Sequence, residues 1–181
     1  MFRKEALKLL EERLKSKNLV KHSLAVEACM RRLAKEFGED PDLWGLAGLL
    51  HDLDYEDTKD DFCRHGFVTA EFLKEKGIDR QIIEAIEAHP GHIERKTKMA
   101  KALYAVDPLT GLIIASCLMH PEKKLKALDT QFVINRFREK SFARGANREQ
   151  IRSCQELGIA LSEFISICLE AMKGISKELG L

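Results

Sequence analysis

With 181 residues, 45% of them hydrophobic and 33% charged, the chain is long enough for one soluble globular domain with a sizeable core. Its net charge of +1 gives no overall reason to expect nucleic acid or an anionic membrane as a partner. Neither a run of about 18 apolar residues nor the apolar segment of a signal peptide is present, so we expect a cytoplasmic protein without a membrane span.

Apolar residues recur at three- and four-residue steps through most of the chain, which predicts an all-α helical bundle. Only four prolines and eleven glycines interrupt the sequence, and this favours long helices over many short strands. An acidic, aperiodic stretch after residue 52 indicates a loop. In the first part of the chain, helices are predicted over residues 2–16, 18–37, 40–52, 64–76, 79–89 and 97–107.

The Asp107-Pro108 step predicts the start of a further helix, because Asp favours the N-cap and Pro the first helical position. Beyond it, Pro121 begins a short basic helix, residues 130–142 predict another, and the last helix runs from about 158 to 178. We expect one domain over residues 1–181. Its metal-site core would span about 18–120, and the helices of 121–181 would pack on that core and contribute a substrate rim.

Four histidines and Asp107 lie on the apolar stripes of these predicted helices, where a hydrophobic core would not normally place them. Four imidazoles and two carboxylates turned inward need partners, and a shared cation satisfies all of them. The five cysteines include no CxxC pair and predict reduced, buried thiols, so a thiolate metal site is not expected. The six candidate metal ligands are His22, His51, Asp52, His65, His89 and Asp107.

The adjacent residues His51 and Asp52 would point about 100° apart on an ideal helix, so they cannot chelate one ion as an i, i+4 pair would. At a helix end, however, the histidine can bind one metal while the aspartate bridges to a second. Such a bridge is what a two-metal site with ions about 3.5–4 Å apart requires.

The other four candidates would complete two sites around this pair. His22 and Asp107 would close the first site, and His65 and His89 would complete the second. Mixed imidazole and carboxylate ligands suit Fe, Mn, Zn, Ni or Co better than Ca or Mg. We therefore expect a divalent transition metal and two ions.

Taken singly, each of these residues has an ordinary explanation. His22 would be satisfied by a hydrogen bond within the core, and Asp107 would serve as the cap of the helix that follows it. The adjacent pair would be an ordinary helix C-terminus, His65 a helix start, and His89 a ring stacked on the next proline. Together these explanations require independent coincidences in one motif order, which favours the metal site.

The order H…HD…H…H…D, with GLLHDLDYE around the pair, resembles the HD superfamily of metal-dependent phosphohydrolases from about residue 20 to 110. Four residues match the ligands of its core motif, namely His22, His51, Asp52 and Asp107. Two match the additional histidines of its dinuclear branch, His65 in RHGFVTAEFL and His89 in IEAIEAHPGH. The later part of the chain, from LYAVDPLTGLIIASCLMH onward, resembles a subfamily of predicted HD hydrolases with no settled substrate.

The resemblance implies a helical bundle that hydrolyses a phosphomonoester or phosphodiester with a metal-bound hydroxide. In that reaction Asp52 would bridge the metals and position the hydroxide. Asp54 or Glu56 would orient ligands or shuttle a proton, unless both belong to a solvated acidic loop. The substrate would be a nucleotide or another small phosphorylated metabolite, because no basic groove studded with aromatic residues is visible for nucleic acid.

Between His120 and Arg152 the chain holds nine Lys or Arg against four acids, a local charge of +5. From this stretch Lys124, Lys140 and Arg144 are predicted to bind the substrate, although each would also fit a solvated basic helix face. The FARGAN segment in the same stretch has the composition of a mobile loop and would serve as a lid.

Three other functions remain open at this stage. The same six ligands resemble those of myo-inositol oxygenase and related di-iron oxygenases, which would require iron and oxygen. A nonenzymatic regulatory module could keep a metal or ligand site, and a plain helical bundle would bind no metal. The sequence is also compatible with a homo-oligomer.

Overall fold

Helices joined by short turns make up the computed structural model, which describes all residues from 1 to 181 and contains no β-strand. The prediction of an all-α fold is therefore confirmed. The eleven α-helices are α1 Arg3–Arg13, α2 Lys17–Phe37, α3 Pro41–Leu50, α4 Tyr55–Thr58, α5 Phe67–Glu75, α6 Arg80–Ala88, α7 Lys98–Met119, α8 Thr130–Arg138, α9 Arg148–Arg152, α10 Leu161–Gly174 and α11 Ser176–Leu179. Short 3-10 turns lie at Phe62–Arg64, Leu125–Ala127 and Ser153–Leu157.

A tight turn between α2 and α3 sets these two helices against each other. Gly38 ends α2 in the left-handed conformation, with φ of 68°, and Asp40 caps α3 by accepting from the N–H groups of Asp42 and Leu43. Gly48 lies where the helices meet, and a Cβ built on it would lie 3.0 Å from backbone atoms of Glu27. This close approach brings the C-terminal end of α3 beside α2.

We expect Gly48→Val to destabilise the fold by about 1–3 kcal/mol, because the added side chain would force α3 away from the backbone of α2. Urea unfolding followed by circular dichroism measures the change in the free energy of unfolding. Gly174→Val is the matched control, since nothing lies within 4 Å of a Cβ built there. Equal effects of the two substitutions would show that the helix contact is not close.

The longest helix, α7, passes through Asp107 and Pro108 without ending, so the predicted helix boundary at this step is wrong. Pro108 has no N–H, and the helix therefore lacks the bond that this position would give to the Tyr104 carbonyl. Apolar side chains on both sides of the proline, including Val106 and Leu109, are fully buried. The stabilisation from burying these side chains outweighs the preference of the Asp-Pro step for the start of a helix. Asp107 therefore stays inside α7.

By length and composition alone, α7 is also apolar enough to cross a bilayer, although no such span was expected from the sequence. More than half of its apolar stretch is buried inside the protein. Its neighbours there are α2, α6, α8 and α9, so a position at the centre of the bundle accounts for its composition.

The C-terminal part of the chain joins the same core. A single cluster of buried apolar side chains extends from Ala6 in α1 to Leu179 in α11, and α10 packs against α2 and α8. The helix expected at Pro121 is instead the 3-10 turn Leu125–Ala127, preceded by Lys123 with a positive φ of 50°. The last predicted helix is divided into α10 and α11 at Ile175, which has non-helical backbone angles.

Candidate metal centre

Five separate elements carry the six predicted ligands to one place. Helices α2 and α7 supply His22 and Asp107 from their interiors. His51 and Asp52 follow α3, and His89 follows α6, so three of the six lie just beyond a helix C-terminus. His65 was predicted within a helix but has an extended backbone, with ψ of 136°, because the 3-10 turn ends there and Gly66 must adopt a φ of +80° before α5 begins.

Asp52 lies at the centre of the cluster. Its carboxylate oxygens lie 3.6 Å from Nε2 of His22, 3.4 Å from Nε2 of His51, 3.3 Å from Nε2 of His65 and 3.5 Å from Nε2 of His89. The four imidazoles hold the pKa of this carboxyl well below its usual range, even though burial opposes ionisation. One carboxylate thus reaches all four imidazoles and would be placed to share ions that they hold.

Two groups of ligand atoms are close enough to hold a cation. One atom from each of His22, His51 and Asp107 lies within 4.8 Å of the others, and the same is true of His51, Asp52 and His89. His65 adjoins the second group, because its Nε2 lies 3.1 Å from Nε2 of His89.

The Nδ1 atoms of two histidines are held by the carbonyls of the helices that end beside them. His51 Nδ1 lies 2.8 Å from the Gly48 carbonyl, and His89 Nδ1 lies 2.6 Å from the Ile86 carbonyl. A carbonyl only accepts, so Nδ1 carries the proton in both rings and Nε2 of the neutral ring presents a lone pair. Carbonyls of the last helical turn therefore orient both rings toward the cluster.

His51 gives the most direct test of whether this cluster fits a metal. Its side chain is fully buried, and Nε2 has no hydrogen-bond partner. Burial lowers the pKa of the ring to about 4, so the ring is neutral at neutral pH. A buried lone pair without a donor is unfavourable, and a cation is the partner that it fits.

A hydroxyl of α7 positions His22. The Thr110 Oγ1 atom donates to the Asp107 carbonyl over 2.9 Å and lies 3.1 Å from His22 Nδ1, so it accepts a hydrogen bond from that nitrogen. His22 Nε2 then faces Asp107 Oδ1 at 3.0 Å. Burial lowers the pKa of His22, but Asp107 and Asp52 more than offset this and raise it. A bound cation would replace the proton shared by His22 and Asp107.

Asp54 orients His65 from behind. Its Oδ1 lies 2.8 Å from His65 Nδ1, and its Oδ2 accepts from the N–H groups of Gly66 and Thr69 at 2.9 Å. Burial lowers the pKa of His65, but hydrogen bonds with Asp52 and Asp54 outweigh burial and raise it to about 9. Asp54 is buried and does not line the cavity beside the cluster, so this geometry favours the orienting role over a proton shuttle.

We expect Asp54→Asn to weaken metal binding by about 10–100-fold, because the amide removes the charge that orients His65 and makes it a better ligand. Titration with Mn²⁺ or Zn²⁺ measures the affinity. Glu56→Gln is the control, because Glu56 instead accepts from the backbone N–H groups of Lys15 and Ser16. If both variants keep the parent affinity, Asp54 does not support the site.

A cavity of about 510 Å³ opens beside the cluster. Five of the six predicted ligands line it, and His51 lies behind them. No Lys or Arg is among its lining residues, so the protonated histidines of the cluster are the protein's only positive groups at this point. An anion that enters the cavity would depend on bound cations for its charge balance.

The predicted substrate-binding cations lie outside this cavity. Lys140 and Arg144 line a second cleft of about 390 Å³, and Ala146 lines both spaces, so the segment around it separates them. Lys124 is exposed beside the 3-10 turn Leu125–Ala127 and lines neither. A contact between these three cations and the substrate stays a prediction.

Arg148 is a structural residue that sequence analysis did not single out. Its guanidinium donates to six backbone carbonyls between residues 136 and 146 over distances of 2.5–3.4 Å. Three of these bonds are to carbonyls of the FARGAN segment, which also forms part of the cavity wall. The action of this segment as a mobile lid stays a prediction. Nothing in the sequence separates Arg148 from the other cations around it.

Comparisons with known proteins place these residues in a family. The family model of the HD domain matches residues 19–120, which is more than half of the chain and includes all six ligands. Ribonuclease Y of Oleidesulfovibrio alaskensis is 33% identical over 96 residues, covering 53% of this chain and 18% of that protein. Ribonuclease Y of Clostridium novyi is 30% identical over 135 residues, covering 73% of this chain and 27% of that protein.

The chain thus spans about a fifth to a quarter of the length of these curated relatives. No solved structure matches it significantly. The family match nevertheless confirms the resemblance carried by the H…HD…H…H…D motif, and the chain belongs to the HD domain family.

Proposed function

We propose that this protein is a metal-dependent phosphohydrolase that acts at the cluster around Asp52. The observation that carries the proposal is the common direction of the imidazoles: each Nδ1 is held by the protein, and each Nε2 faces the centre. The unpartnered Nε2 of buried His51 supports it most strongly, because that atom has no other function in the fold. Membership of the HD domain family gives independent support.

The ligand set would hold two divalent ions with Asp52 between them. His22, His51 and Asp107 would bind one ion, while His65 and His89 would bind the other. Their mixture of nitrogen and oxygen atoms suits Fe, Mn, Zn, Ni or Co. A bound ion of this kind lowers the pKa of water to about 7 and neutralises charge on phosphoryl oxygens.

The residues of the chain would divide the remaining tasks. Asp52 lines the cavity and would position the attacking water, while Asp54 keeps His65 in place. A cavity of about 510 Å³ is in the range of small-molecule sites and would admit a nucleotide or another small phosphorylated metabolite. The substrate's phosphate would enter as a monoester or a diester.

RNA is the second candidate substrate. Two observations favour it, although the sequence led us to expect that the protein does not bind nucleic acid. The curated relatives are named Ribonuclease Y. Beside the metal cavity, the cleft containing Lys140 and Arg144 is also lined by Arg138, Arg148 and Arg152, with Glu149 as its one acid. Such a cleft would attract a second phosphate of a polynucleotide.

A hydrolysis screen with metal-loaded protein tests the proposal. Phosphate release or chain cleavage is measured on nucleoside monophosphates, bis(p-nitrophenyl) phosphate and a short RNA, with His51→Ala as the control. The proposal expects metal-dependent hydrolysis by the parent and none by the variant. Oxygen uptake without hydrolysis would indicate the oxygenase alternative, and metal binding without turnover of any compound would indicate a regulatory module.

We also propose that the protein acts in the cytoplasm. All five cysteines are unpaired in the structure, and four of them are buried. Free thiols of this kind are typical of a reducing compartment.

A further inference from the structure

Two aromatic side chains remain exposed at the metal cavity. Tyr55 is 40% exposed and Phe62 is 54% exposed, and both line the cavity that contains Asp52. Large apolar surfaces left open to solvent beside polar groups are typical of ligand sites. Metal binding by the six ligands does not explain why these two aromatic rings are exposed at the cavity.

Both rings pack on His65. The Phe62 ring is tilted by 32° relative to the imidazole with centroids 5.3 Å apart, and the Tyr55 ring meets it edge to face at 5.6 Å. These contacts fix the two aromatic rings relative to the cluster, since Asp54 in turn fixes His65. One imidazole ring therefore separates Phe62 from the carboxylate of Asp52.

The rest of the cavity suits a flat, uncharged group. No Lys or Arg lines it, and outside the cluster its neutral polar side-chain groups are the amide of Gln150 and the hydroxyl of Tyr55. The remaining lining residues outside the cluster and the aromatic pair are small or apolar, namely Leu19, Pro90, Pro108, Gly111, Ala143, Gly145 and Ala146. A ligand with one anionic end at the metal ligands and one planar end at the aromatic rings matches this distribution.

We propose that Phe62 and Tyr55 form a stacking platform for the base of a nucleotide whose phosphate lies at the metal centre. The inference rests on the proposed function and narrows its substrate class to phosphates that carry a nucleobase. In a nucleotide, one sugar ring separates the base from the phosphate. In this site, one imidazole ring, that of His65, separates the platform from Asp52, so the two spacings correspond. A free nucleotide and a nucleotide unit of RNA present the same base to these rings.

Replacing Phe62 with alanine tests the platform. With metal-loaded protein, we expect KM for adenosine monophosphate to rise about 10-fold, the effect of removing one stacked ring, while kcat is retained. KM for ribose 5-phosphate, which has no base, should not change. Phe62→Trp should restore the parent KM, because a larger ring still stacks.

Phe2→Ala is the matched control, because Phe2 is 82% exposed and lies in no part of the cavity. If Phe62→Ala lowers kcat equally on the nucleotide and on ribose 5-phosphate, Phe62 merely supports His65 and the platform is overturned. An unchanged KM for the nucleotide would overturn it as well. Repeating the comparison with a trinucleotide RNA shows whether the base comes from a free nucleotide or from a chain.

Direct binding separates failure of the platform from failure of the proposed function. If the parent protein hydrolyses none of these compounds, equilibrium dialysis of adenosine monophosphate and ribose 5-phosphate against the metal-loaded protein still tests the platform. Tighter binding of the nucleotide, lost in Phe62→Ala, would support it. Equal binding of the two compounds would overturn it.

Discussion

Replacing Asp52 with alanine is expected to abolish hydrolysis, lowering kcat/KM by roughly 10³-fold or more, and to leave at most one weakly bound ion. The reason is geometric, because the Asp52 carboxylate lies within 3.6 Å of the Nε2 atoms of four histidines. No other carboxylate in the structure reaches all of them. Steady-state kinetics and elemental analysis on the same preparations measure both effects.

Asp60→Ala provides the control for this substitution. Asp60 is exposed in the same acidic segment and does not line the cavity, so its loss should change neither the metal content nor the rate. If Asp52→Ala binds two ions as tightly as the parent, Asp52 does not bridge them. Retention of activity by Asp52→Ala would likewise exclude the proposed site of the reaction.

His51→Ala is expected to remove metal and activity together while leaving the helical content unchanged. The variant loses a buried ligand whose Nε2 has no partner within the protein, so the principal loss is in metal binding. A ligand present at 100 times its Kd stabilises a protein by about 2.7 kcal/mol. Added metal should therefore raise the Tm of the parent clearly and that of the variant little or not at all.

His120→Ala is the matched histidine control, because His120 lies after α7 against Phe132, outside the cluster. It should show the same increase in Tm with metal as the parent. Full activity in His51→Ala would contradict the assignment of His51 as a ligand. A variant that had lost its helical signal would be replaced by His51→Gln, which keeps a polar side chain at this position and is expected to lose the metal-dependent rise in Tm.

Local patterns predicted those parts of the fold that depend on neighbouring residues. The break between the helices predicted over 18–37 and 40–52 is present as expected, because the Gly38 stop and the Asp40 cap involve only residues next to each other in sequence. At the Asp107-Pro108 step the predicted helix boundary was wrong, because contacts with residues distant in sequence decide the structure there. The local preference of this step is outweighed by burial of α7 on both sides, which is a property of the whole bundle.

The convergence of the six residues could be anticipated because inward-facing polar groups need common partners, and the structure does bring them together. His65 reaches the cluster from a turn rather than from a helix. Contacts between distant segments could not be anticipated. The Thr110 hydroxyl meets His22 across 88 residues of sequence, and charge counts gave no indication that Lys140 and Arg144 would line the far side of the cavity wall.

The metal-to-protein ratio of the purified, metal-loaded chain tests the central claim most directly. Elemental analysis after extensive dialysis should find two transition-metal ions per chain in the parent and no more than one in Asp52→Ala. Absence of any retained transition metal in the parent, loaded at micromolar protein with Fe²⁺, Mn²⁺, Zn²⁺, Ni²⁺ or Co²⁺, would contradict the account.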